Sequence, residues 1–255
     1  MTTKRCAQII LTSVVLLGSA PVFADTYMKQ IRQTDPFTVM GQTQPATTET
    51  IEIWIGDKAT RINNPDGTST LVVFAEQKAY MIKPADRSYA EMPLGIDKII
   101  DEAAAAGDEQ DEDSRAAADA MRGMMSAMMQ FEVSLKETGE QEKIGDWRTR
   151  KYVLTTKSGM GTSTSEIWAT EDLQADMTGY WQAANATLAG HKGFADIVAA
   201  MAKIRGVTVK TISRSQAMGA EVKSTENLVE FATKPAPAGA FTVPAGYRKV
   251  PMFGE

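Results

Sequence analysis

Met121, Met124, Met125, Met128 and Met129 are the residues whose chemistry stands out first, in the run SRAAADAMRGMMSAMMQ from Ser114 to Gln130. On a helix they fall with Ala117 and Ala118 inside one arc about 140° wide, with Arg115, Asp119, Arg122 and Ser126 opposite. Methionine is unbranched and polarizable, so such a wall can repack around apolar ligands of varied shape. The same stripe also suits ordinary core packing, or a thioether site for Cu(I), although copper sites usually add His or Cys and this run has neither. Two tryptophans join the candidate ligand-binding residues. Trp54 and Trp168 end identical tripeptides, Glu52-Ile53-Trp54 and Glu166-Ile167-Trp168, each inside a Thr/Ser-rich segment that reads as a strand. Alternation then places Glu and Trp on one face of both strands.

Other chemistry is sought without success. His191 is the one histidine, set between two helical patterns, and no Gly-x-Ser-x-Gly elbow accompanies it, so no enzyme and no catalytic residue are expected. Zinc needs three or four His, Cys or carboxylate ligands, which a chain this poor in both His and Cys does not offer. The acidic run Asp108 to Asp113 (DEQDED) lacks the spacing and terminal Glu of a calcium loop and reads as a solvated linker. No phosphate loop or dinucleotide fingerprint occurs, and neither a metal nor a cofactor is expected.

The elements that position these residues begin with a meander from Thr48 to Pro93. TETIEIWI, DKATRIN, STLVVFA, KAYMIK and RSYAEMP are short strands separated by turn residues such as Asn63-Asn64-Pro65-Asp66-Gly67. Ile51, Ile53 and Ile55 share one strand face while Glu52 and Trp54 share the other. Upstream, Asp25 to Met40 reads as a long first strand, with a short helix as the competing reading, and GQTQPAT as a loop. After Pro93 the apolar period changes to about 3.6 and predicts helices, Leu94 to Ala106 and the methionine run. Strands return at Phe131 to Thr138, turned at Gly139, then at Trp147 to Lys157 and Thr162 to Thr170. Two further helices are predicted: Leu173 to Leu188, capped by Thr170 to Asp172, and Phe194 to Arg205. A hairpin of Val207 to Ser215 with Glu221 to Ala232 follows. The tail should tuck Phe241, Val243 and Tyr247 against the sheet.

Residues 1–24 have the three parts of a secretory signal: Lys4 and Arg5, an apolar run from Ile9 to Leu17, and small residues before Asp25. Cleavage is expected after Ala24, leaving residues 25–255 as a single periplasmic domain. Cys6 lies too early to be a lipoprotein cysteine, so no lipid anchor is expected, and the apolar run is too short to span a bilayer. Losing the leader moves the formal charge from −5 to −7, with 25 basic against 32 acidic residues remaining. That surface argues against nucleic acid as a partner.

The segments YMKQIRQTD (Tyr27 to Asp35), MGQTQP (Met40 to Pro45), EIWIGDKATR (Glu52 to Arg61), SYAEMP (Ser88 to Pro93), SEIWATEDL (Ser165 to Leu173) and FTVPAGYRKV (Phe241 to Val250) span most of the chain. In order and spacing the chain resembles a family of exported bacterial proteins with a domain of unknown function, whose fold is similar to the LolA/LolB-type periplasmic lipoprotein carriers. The resemblance implies an α+β, mainly antiparallel architecture: an incomplete half β-barrel of about ten strands covered by three or four amphipathic helices. It also implies a carrier holding an acyl chain, lipid or lipoprotein between sheet and lid. The acidic linker and methionine run, at about residues 94–130, depart from that pattern, and the resemblance transfers no functional residue. Two alternatives stand beside the carrier: an envelope structural or interaction protein with a filled core, and methionine-based Cu(I) handling.

Overall fold

The computed structural model describes residues 25–39, 41–95, 98, 123, 130–159, 161–175, 177–187, 192–217 and 220–252. Its organising strand is β1 (Thr26–Thr34), which pairs antiparallel on one side with β4 (Thr47–Ile55) and on the other with β13 (Ala220–Thr233). From β4 a meander runs outward through β5 (Ala59–Asn63), β6 (Ser69–Val73), β7 (Lys78–Lys83) and β8 (Ser88–Pro93). A second meander runs inward from β9 (Glu132–Ile144) through β10 (Trp147–Ser158), β11 (Gly161–Thr170) and β12 (Val207–Ala217) to β13. The tail adds β14 (Arg248–Val250) in parallel to β8, completing a twelve-stranded sheet, and β2 (Phe37–Val39) with β3 (Gln42–Gln44) makes a separate two-stranded hairpin.

Register carries the alternation of side chains across all these strands. Met28 stands opposite Ile53 and Phe231, so its neighbours share the face on which the helices pack. Tyr27 stands opposite Trp54, which stands opposite Arg61, and these share the face that the tail covers. On the helical face α1 (Thr178–Thr187) sets Ala183 and Ala186 against Val72, Ala79 and Leu94. Further along, α2 (Lys192–Met201) sets Ala200 against Tyr152, Leu154, Ile167 and Ala169. On the tail face Phe241, Val243 and Tyr247 pack against Ala59, Leu71 and Ile82. At Gly179 in α1 an added Cβ would sit 2.6 Å from the Gly56 carbonyl oxygen, so the helix rests directly on the β4–β5 turn.

The expected half-barrel under three or four helices is overturned: the described residues form one large twelve-stranded sheet with two short α-helices. Three local expectations also differ from the structure. Within the expected loop, Gln42–Gln44 is strand β3. Gly139 does not turn the chain; with φ +81° it sits inside the single strand β9, where the register with β10 shifts and Arg150 pairs with Gln141 but Tyr152 with Glu137. Glycine in a strand marks a bulge as readily as a turn. Finally, the helix expected from Leu173 starts only at Thr178. Asp172 is committed to β10, accepting from the Arg148 backbone N–H at 2.8 Å, while its own N–H donates to Thr170 Oγ1 at 3.1 Å, so these residues hold a turn instead of capping a helix. The methionine helix, the Leu94 to Ala106 helix and His191 lie outside the described residues, apart from Leu94, Gly95, Lys98, Gly123 and Gln130.

Where β1 meets β4, the Tyr27 hydroxyl donates to Glu52 at 3.1 Å, and its ring lies 4.6 Å from that of Trp54. Burial first, then the bond to Glu52 and the charges of Glu52 and Glu230, push this hydroxyl up from 10.0 to about 12. The unfolded chain therefore releases the proton before the folded one does. Stability is whole below the unfolded value near 10.0 and is lost as pH rises through about 12. Urea unfolding at about pH 9 and about pH 11.5 should show a smaller loss for Tyr27→Phe than for the parent. Tyr80, also raised by burial and its bond to Glu76, keeps part of the slope in both. An identical pH dependence in the two proteins would remove Tyr27 from the explanation.

Candidate functional site

One candidate site lies on the helical face, where β1 and β13 meet α1. Its outer part is a cavity of about 460 Å³ lined by Gln30, Arg32, Glu49, Ile51, Ile53, Ile62, residues of the β5–β6 turn, Tyr180 and Glu226. Its inner part, about 100 Å³, lies under α1 and the end of α2, walled by Met28, Met177, Trp181, Met201, Ile204 and Val207 with Thr208 and Thr211. Gln30, Ile53, Tyr180 and Glu226 line both, so the two spaces share a boundary.

Each wall has a local cause. Alternation along β1 turns Met28, Gln30 and Arg32 to the same face, and the register then sets Arg32 opposite Glu226. Their ion pair is made by Nη2 at 2.8 Å and Nε at 3.0 Å to one carboxylate oxygen, at the polar mouth. Such a partly exposed pair adds little stability, on the order of 1 kcal/mol or less, but orients two charges. Tyr180 stands between mouth and interior, and burial pushes its hydroxyl up, helped by the Glu226 charge and opposed by Arg32. It is therefore a neutral donor at physiological pH. Its ring meets Trp181 edge-on, centroids 5.1 Å apart.

The tryptophans singled out from the sequence are not brought together. By register both lie on the tail face, as do Glu52 and Glu166, while Ile53 and Ile167 are buried on the other. Three strands separate β4 from β11 in the sheet, which at about 4.8 Å per strand sets those two strands roughly 19 Å apart, and the register offsets the tryptophans along the strands as well. Each lies beneath a cation: Lys234 Nζ is 5.5 Å from the Trp54 ring, and Lys210 and Lys151 are 4.9 and 5.3 Å from that of Trp168. Glu166 beside Trp168 is held well below the usual carboxylate range by bonds from Lys151 at 2.9 Å and Arg214 at 2.7 Å. That side chain is spent on structure. Met121, Met124, Met125, Met128 and Met129 lie outside the described residues.

Sequence reasoning missed Met28, Met201, Arg32 and Glu226 as site residues. Met177 and Tyr180 were legible as the apolar side of a helix, but only the β1–β13 register shows what they face. Among the described residues no group of three or more His, Cys, Asp or Glu side chains could hold a metal ion, and no helix is long and apolar enough to cross a membrane. One family model matches residues 37–247, from β2 through the tail. No curated protein matches the chain.

Proposed function

The chain belongs to the family which that model describes, a domain of unknown function (DUF4412), and since the description names no activity we propose from the cavities themselves that this is a binding protein for a small amphipathic molecule. An apolar chain would enter among Met28, Met177 and Met201, and a polar end would remain at the mouth beside Arg32 and Glu226. The observation that supports this reading is the shared boundary: Gln30, Ile53, Tyr180 and Glu226 line both a more polar cavity and a second one walled largely by methionine, tryptophan and aliphatic side chains. The mouth alone falls in the range of ligand pockets, about 300–1,000 Å³. No His or Cys lines the inner space, so its three thioethers are read as a plastic wall rather than a copper site.

This proposal retains an acyl-type cargo, as in the Lol-type carriers, without their architecture. It also retains export to the periplasm, on the leader read from the sequence. One observation favours a second reading: at about 100 Å³ the inner space is small, which fits an interaction protein with an incompletely filled core.

Titration with 1-octanol, followed by nuclear magnetic resonance of the methionine methyl groups, separates the two. The parent should show saturable shifts at Met28, Met177 and Met201. Thr211→Phe, which projects a ring into the inner cavity, should weaken binding at least about tenfold while the fold is kept. Absence of saturable shifts in the parent, or equal affinity in Thr211→Phe, would favour the filled core. Native mass spectrometry of protein gently extracted from its own cells adds an independent readout, since a carrier should show a bound mass that this substitution removes.

A further inference from the structure

The tail face holds a separate cavity of about 470 Å³, between Trp54, Arg61 and Asn63 on the sheet and tail residues that include Pro237, Ala240 and Pro244. Arg61 is half-buried there. It donates through Nε to Asn63 Oδ1 at 3.0 Å, through Nη2 to Ser69 Oγ at 3.1 Å and through Nη1 to the Ala240 carbonyl at 3.3 Å. All three acceptors are neutral. Of the five N–H donors of a guanidinium these use three, leaving one on each Nη.

The arginines that line the other cavities described above, or the one between β10 and the Asp172 turn, each have an acid beside them: Arg32 pairs with Glu226, Arg148 with Asp172, Arg150 with Glu171 and Arg205 with Glu137. Among the described residues no carboxylate forms an ion pair with Arg61. Glu52, two residues from Trp54 on the same face, gives one oxygen to the Tyr27 hydroxyl and the other to the Asn63 amide at 3.4 Å. Burial weakens the hold of Arg61 on its proton, opposed in part by the nearby Tyr247 hydroxyl, as expected for a charge withdrawn from water with no carboxylate beside it. Lys234, over the Trp54 ring, is a second cation beside the floor, and it is paired with Glu230 at 3.5 Å.

We infer that this cavity is an anion site for a carboxylate with a flat apolar body, the carboxylate on the two free Nη donors of Arg61 and the body against Trp54 and the two prolines. A planar fork matches a carboxylate in two parallel bonds, and the part of the Trp54 indole that lines the cavity, with the proline walls, offers apolar area that a bare inorganic anion does not use. The site is distinct from the amphiphile cavity, which lies on the opposite face of the sheet.

Benzoate is the probe, with benzamide as its uncharged counterpart and inorganic phosphate as an anion lacking the ring. Followed by amide shifts of Asn63 and Ala240 in the full-length protein, benzoate should bind saturably and benzamide at least tenfold more weakly. Arg61→Gln should lose at least tenfold in benzoate affinity and leave 1-octanol binding unchanged, whereas Arg61→Lys should fall between. The benzoate and benzamide comparison is made on the parent chain, so it stands even if a substitution loosens the tail. No saturable response to benzoate, or equal affinity for benzamide, would overturn the inference. So would benzoate affinity unchanged in Arg61→Gln. A response to phosphate as strong as that to benzoate would overturn the claim for an apolar body.

Discussion

Gly206→Ala should cost about 4 kcal/mol of stability and lower Tm by roughly 10 °C. Gly206 joins the end of α2 to β12 with φ +88°, in the left-handed region that L side chains rarely adopt. A methyl group there would meet the Thr170 carbonyl oxygen at 2.0 Å, its carbon at 2.5 Å and the Glu171 nitrogen at 2.9 Å. All three are backbone atoms, so no rotamer change relieves the clash, and β12 must shift away from β11 where Val207 pairs with Thr170. The same movement disturbs the Asp172 turn and the edge of the inner cavity, which Gly206 lines. Gly67→Ala is the matching control: its φ is +81° but nothing lies within 4 Å of the added methyl, so only conformational strain of about 1 kcal/mol is expected. Urea unfolding of both variants measures the difference. Similar losses would show that the close approach to Thr170 is unimportant.

Ile167→Ala is expected to cost about 3–4 kcal/mol, against about 1 kcal/mol for Ile167→Val. Ile167 is 1% exposed and lies in the cluster that joins β10 and β11 to Ala200 and Ile204 beside α2. Truncation removes three carbons from a site that the sheet cannot collapse around, because its neighbours on β10 and β12 are fixed by register: Tyr152 on one side and Thr211 on the other. Hydrogen exchange should report the same event locally, with α2 amides losing protection before those of β4 to β8. Uniform loss across the sheet would mean instead that α2 does not depend on this contact.

Much of this sheet was legible because its first meander obeys period two. Ile51, Ile53 and Ile55 against Glu52 and Trp54 could hardly pair otherwise, and the Asn63 to Gly67 turn closes as its residues suggest, with the Asn64 N–H donating to the Thr68 carbonyl at 2.8 Å. Where two local solutions share one composition, local reading failed. Gly139 could be turn or bulge, and Leu173 to Met177 could continue a helix until Asp172 is seen bonded to Arg148. The candidate site was less legible still. The Trp54 and Trp168 tripeptides advertise themselves by identity, yet strand order sets them apart. Met28, Met177 and Met201 are unremarkable singly and become one wall only through pairings between residues about two hundred positions apart, such as Arg32 with Glu226.

The place of β1 between the two meanders bears on how the chain is made. Both meanders consist of strands consecutive in sequence and can zip locally, but the seam between β1 and β13 joins residues about two hundred positions apart, Thr26 to Thr233. During synthesis one side of β1 therefore waits for its mate, offering a row of bare amides and carbonyls to any other strand at hand. The same wait makes exchange of β13 between two nascent copies the characteristic error of this architecture, and gives chaperones that shield open β edges the most to do just before the chain is complete.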